Sequence, residues 1–106
     1  MSAVKILLVE DNPDEEALAL IAFERSGVSG SNIFVVRDGQ EAMDYLLAEG
    51  VFSDRDVKDV PKVIFLDINL PKLNGLEVLK RIRNDLRISL IPIVLLTSSD
   101  EQSDML

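Results

Sequence analysis

The side chains that most often carry catalysis and bind transition metals are missing. The chain of 106 residues has no cysteine and no histidine. Without cysteine there is no disulfide framework, no thiol nucleophile and no thiolate metal site. Without histidine there is no Ser-His-Asp triad, no imidazole base and no His-ligated zinc. Positive charge is scarce too: 11 Lys and Arg stand against 19 Asp and Glu, a net charge of −8. A surface of that sign attracts neither nucleic acid nor an anionic membrane. No apolar run approaches the ~20 residues that span a bilayer. Met1-Ser2-Ala3-Val4-Lys5 runs straight into a short apolar stretch ending in acids, unlike a signal peptide. These absences point to a cytoplasmic protein. The groups left for chemistry are carboxylates, hydroxyls, lysine, arginine and backbone. Carboxylates dominate, so a bound metal is expected to be a hard, oxygen-seeking ion such as Mg²⁺.

What is present is an ordinary globular composition, 47% hydrophobic, at a length that suits one domain over residues 1–106. Short apolar runs alternate with amphipathic ones. Lys5–Val9 reads as a strand buried on both faces and stops at Glu10-Asp11. Asn12 then offers an N-cap, Pro13 a first helical position, and Asp14, Glu15 and Glu16 an acidic first turn. Leu18, Ile21, Ala22 and Arg25 follow at helical spacing, and Gly27 closes that helix. Asn32–Val36 is a second strand, and Asp38-Gly39 a turn. From Gln40 a helix presents Ala42, Met43, Leu46 and Leu47, with Gly50 as its C-terminal cap. Residues 51–61 form an unusually long polar connection. Val63–Leu66 is a third strand ending in Asp67, and Leu76, Leu79, Ile82 and Leu86 mark a third helix. Ile93–Leu96 is a fourth strand ending in Thr97-Ser98-Ser99. Ser99 to Gln102 is a capping box, so a fourth helix begins there. The order β-α-β-α-β-α-β-(α) predicts an α/β, doubly wound parallel sheet with helices on both faces.

In such a sheet all strand ends of one kind lie on one edge, where ligands bind. Glu10-Asp11, Asp67 and Thr97-Ser98 would therefore converge. Each has a bland explanation as a cap or a turn former. Their coincidence at three strand ends of one edge favours function. Crowded carboxylates raise one another's pKa, and a divalent cation relieves the conflict. Mg²⁺ usually shares its shell with phosphate oxygens. An ionised Asp67 could then act as nucleophile toward a phosphoryl group, with Thr97 donating its hydroxyl to a phosphoryl oxygen.

Leu7-Leu8-Val9-Glu10-Asp11-Asn12, Phe65-Leu66-Asp67-Ile68-Asn69-Leu70-Pro71 with Asn74-Gly75, and Ile93–Ser98 closely resemble the receiver domain of two-component response regulators. The long connection before the third strand and the wording around Asp67 are most similar to stand-alone receivers associated with phytochromes. The resemblance implies a flavodoxin-like topology with strand order 2-1-3-4-5. It implies that Asp67 accepts the phosphoryl group and that Asp11 binds Mg²⁺ directly while Glu10 acts through water. Asn69 would lend its backbone carbonyl to the metal, and Thr97 would be the switch hydroxyl, with the small Ser98 beside it. The donor would be a phosphohistidine on a sensor histidine kinase, for which the resemblance suggests a phytochrome type. The role is that of a phosphorelay signalling module rather than an enzyme, with weak self-phosphorylation and self-dephosphorylation at most.

Against the family pattern, the fifth strand with its terminal Lys and the last helix are missing, so a receiver truncated early in its fourth helix is expected. Acetyl phosphate should then modify Asp67 poorly. The bare edge of the fourth strand is expected to be hidden in a homodimer or a domain-swapped oligomer. Two other functions compete: an aspartyl-nucleophile phosphatase, in which a second acid normally stands two residues on, where this chain has Asn69, and an inert interaction module.

Overall fold

The computed structural model describes residues 5–70 and 74–96. Along the chain run β1 (Ile6–Val9), α1 (Pro13–Arg25), a 3-10 turn (Gly30–Asn32), β2 (Ile33–Val36), α2 (Gly39–Leu47), a second 3-10 turn (Gly50–Phe52), β3 (Val63–Asp67), α3 (Gly75–Arg83) and β4 (Ile93–Leu96). The strands form one parallel sheet in the order β2-β1-β3-β4, as the alternating pattern and the resemblance both imply. β1 lies in the middle, with Val9 in register with Val36 on one side and Leu66 on the other. β4 sets Leu96 beside Asp67. The expected fourth helix, with Thr97, Ser98 and Ser99, lies outside the described residues.

The strand sequences explain this placement. β1 is ILLV, buried along its whole length, as a strand covered on both faces must be. Alternate residues serve opposite faces. Leu7, Val9, Val36, Ile64 and Leu66 join Ala42, Met43 and Leu46 of α2 and Val78 and Ile82 of α3 in one core. Ile33, Val35 and Phe65 turn to the other face, where α1 lies. Phe23 of α1 meets Phe65 edge to face with ring centroids 5.0 Å apart, and Leu20 and Ile21 line a cleft with Ile33 and Val35.

The helix expected from the spacing of Leu18 and Ile21 is present as α1, but these two side chains are 64% and 47% exposed and no residue of α1 is buried. α1 meets the sheet through Phe23, and among the described residues no second helix shares that side to cover the rest. Asp38-Gly39 is not a free turn, because Asp38 is the N-cap of α2 and accepts the Glu41 N–H at 2.8 Å. Gly50 does not end α2; Ala48 does, in the left-handed region at φ 55°. Leu86 is not part of α3, which stops at Arg83, and it is 95% exposed. Arg83 Nη1 donates to the carbonyls of Ser89 and Ile91 at 2.8 and 2.9 Å, folding the chain back so that Ile88 and Ile91 enter the core in place of Leu86.

One side chain ties the long connection before β3 to α2. Arg55 donates to the backbone carbonyls of Tyr45 and Asp59. Its guanidinium lies 3.9 Å from the centre of the Tyr45 ring, a favourable cation–π contact. Tyr45 stacks on Phe34 at 4.6 Å, and Phe52 closes the cluster edge-on.

Candidate functional site

Two neighbouring strand ends build the site. β1 runs out at Val9, and the Glu10 N–H donates to the Val36 carbonyl at 2.9 Å, extending the pairing by one residue. Glu10 is thereby held against the sheet and is only 5% exposed, whereas Asp11 opens to solvent. The chain then turns sharply into α1. Asn12 makes that turn with its side chain, which accepts the N–H groups of Asp14 and Glu15 at 2.8 and 3.2 Å. Its own backbone N–H donates back to Glu10 Oε2 at 3.2 Å.

Asp67 is the last residue of β3 and is 8% exposed. Its Oδ1 accepts the N–H of Asn69 at 3.0 Å, an Asx-type turn that starts the following loop. Beyond it, the Ile68 N–H donates to Leu96 at 3.1 Å and the Gly75 N–H donates to Ile68 at 2.9 Å. Asp67 is therefore pinned between β4 and the first turn of α3.

These elements bring one carboxylate oxygen each from Glu10, Asp11 and Asp67 to within 4.8 Å of one another. Burial pushes the Glu10 carboxyl up to about 7, opposed by the Asn12 N–H and reinforced by Asp67 and Asp11. The three acids concentrate negative charge in one small volume. The donor set is all hard oxygen and crowded with negative charge, which fits a divalent cation of the Mg²⁺ type. The exposed Asn69 follows two residues after Asp67 and is tied to it through the Asn69 N–H. Thr97, the sequence candidate for the hydroxyl, lies outside the described residues. The sequence reading missed the second role of Asn12, its N–H on Glu10. An N-cap placed directly after an acidic strand end was the available signal.

The sequence model of the response regulator receiver domain matches residues 6–106. The chain belongs to the response regulator receiver domain family. Among solved structures, this receiver domain is similar to the bacteriophytochrome response regulator RtBRR, with 50% identity and a TM-score of 0.84, over 96% of this chain and 61% of that one. It resembles the phosphorylated cyanobacterial phytochrome response regulator RcpA at 39% identity and a TM-score of 0.77, over 98% and 71% of the two chains. Response regulator Rcp1 of Synechocystis is 35% identical over 101 residues, 95% of this chain and 66% of that protein. A Mn²⁺-bound form of response regulator Rcp1 superposes with a TM-score of 0.79 over 95% of this chain and 70% of that one. The receiver domain described here spans about two thirds or less of the first curated relatives, 61% and 66% of their lengths. Among the described residues no helix is long and apolar enough to cross a membrane.

Proposed function

We propose that residues 1–106 act as one phosphoryl-accepting unit of a two-component phosphorelay, with Asp67 as acceptor and a phosphohistidine of a sensor histidine kinase as donor. The observation that carries this reading is the meeting of Glu10, Asp11 and Asp67 within 4.8 Å at the ends of β1 and β3. Asp11, Asp67 and the backbone carbonyl of Asn69 would hold Mg²⁺, with Glu10 acting through water. The ion would neutralise the cluster and bind phosphoryl oxygens when present. The chain's own residues do the rest. Buried Glu10 and the pinned backbone at Asp67 fix the direction of the acceptor. A carboxylate oxygen of Asp67 forms the new O–P bond while the donor's P–N bond breaks, and the imidazole leaves with the electron pair and picks up a proton. Thr97 would donate its hydroxyl to the transferred group.

The named likenesses to phytochrome response regulators support a kinase of phytochrome type and a cytoplasmic setting. The Mn²⁺-bound relative supports a divalent ion at the acidic cluster. A phosphatase is not favoured, because Asn69 stands where a second acid would have to act. An inert interaction module does not account for three converging acids.

The test is incubation with acetyl phosphate and Mg²⁺, followed by peptide mapping. The reading expects one phosphoryl adduct, on Asp67, that is lost in Asp67→Asn and on chelation. An adduct on another residue, or one that persists in Asp67→Asn, overturns it.

A further inference from the structure

Gly75 opens α3 and lies directly behind Asp67. A Cβ at this position would sit 2.3 Å from the Asp67 carbonyl oxygen, 2.6 Å from Ile68 Cα and 3.0 Å from the Asp67 carbonyl carbon. All three are backbone atoms, so no flexible side chain can swing aside to make room. The backbone they belong to is held from the other side as well. Val9 pairs with Leu66 next to Asp67, Leu96 pairs with Asp67, and the Ile68 N–H donates to Leu96 at 3.1 Å. The helix is equally committed: Val78 and Ile82 are fully buried one and two turns on. The Gly75 N–H closes the contact by donating to Ile68 at 2.9 Å. Strand end and helix start touch with no spare distance, and the hydrogen atom of Gly75 is what fits between them.

We propose that Gly75 is a positioning residue for Asp67, its missing side chain allowing α3 to seat against the acceptor's own peptide and so fixing the Asp67 carboxylate toward Glu10 and Asp11. The proposal rests on the reading of Asp67 as metal ligand and phosphoryl acceptor. Any side chain at residue 75 must rotate the Asp67–Ile68 peptide or lift the helix end. Either movement carries the Asp67 carboxylate away from its partners, because one of its oxygens is tied to the Asn69 N–H in the same turn. Gly27 and Gly30 do not share this constraint: a Cβ there would meet nothing within 4 Å.

The experiment compares Gly75→Ala with Ile82→Ala, a core substitution in the same helix but remote from the acids. Mn²⁺ affinity is measured by water-proton relaxation at a temperature where both variants are folded. Backbone amide shifts of Asp67, Ile68 and Asn69 are recorded without metal. Gly75→Ala should weaken Mn²⁺ binding by about tenfold or more and Ile82→Ala by less than about twofold, the range expected for loss of a ligand's support against its retention. The three amides should shift in Gly75→Ala and stay near their native positions in Ile82→Ala. Unchanged affinity in Gly75→Ala, or equal losses in the two variants, overturns the proposal. If the native chain binds no Mn²⁺, the functional reading fails, and the amide shifts alone decide the positioning role. If Gly75→Ala does not fold, both variants are measured in concentrated sucrose, which favours the compact state. Failure to fold there as well contradicts the proposal, since Gly75 would then serve the fold and not the aim of Asp67.

Discussion

Glu10 is where opposing forces meet most sharply. Its carboxyl is buried beside Asp67 and Asp11 and is pushed from 4.5 up to about 7. In metal-free protein the folded state therefore keeps a proton between these values that the unfolded chain has released. The folded state binds more protons, so stability falls as pH rises from about 4.5 to about 7. The loss is of order 1–3 kcal/mol. Thermal unfolding in chelator should show the melting temperature dropping across this window, and Glu10→Gln should flatten the slope. A melting temperature that instead rises with pH would refute this account of Glu10. Asn12 contributes at the same scale. Asn12→Ala removes the side-chain cap of α1 and should cost about 1 kcal/mol in denaturant unfolding, with the Glu10 contact, which uses backbone, retained.

Among the elements, the segment between α2 and β3 shows how far the sequence could be read. Its length and polarity were legible, but its order was not. That order depends on Arg55 reaching back to the carbonyl of Tyr45 and forward to that of Asp59, contacts that no local pattern announces. Arg55→Ala should destabilise by about 1–3 kcal/mol, through lost carbonyl bonds and the lost cation–π contact. Hydrogen exchange should accelerate over residues 50–61 and leave β1 unchanged. Equal acceleration throughout the sheet would show that Arg55 acts on the whole fold. The strands were readable because each is a compact apolar run bounded by polar residues or proline. The acidic site followed from them, since a parallel sheet must place Glu10, Asp11 and Asp67 on one edge. Leu86 misled because its spacing continues a helix that Arg83 ends by hydrogen bonds to Ser89 and Ile91. Leu18 and Ile21 marked α1 correctly by their helical spacing, which does not say what lies over them. The close approach at Gly75 was not legible, because a close backbone contact leaves no trace in residue type alone.

At the scale of the molecule, the described residues form one covered face and one half-open face. α2 and α3 close the core on one side, while α1 leaves Leu18 and Ile21 exposed on the other. Among the described residues β4 pairs only with β3, and its Val94 and Leu95 are 42% and 39% exposed. An apolar strand of this kind invites pairing, so we propose that the chain associates through the β4 edge, as a homodimer or by exchange of elements. Sedimentation velocity should then show a concentration-dependent dimer that Val94→Lys converts to monomer. A folded monomer at every concentration would remove this proposal.

Magnesium titration followed by backbone amide shifts tests the central claim most directly, because it reads the meeting of the acids and needs no phosphoryl donor. Saturable shifts should centre on Glu10, Asp11, Asp67 and Asn69 and vanish in Asp11→Ala. Shifts that persist in Asp11→Ala, or native protein that titrates with none at those residues, would contradict the account.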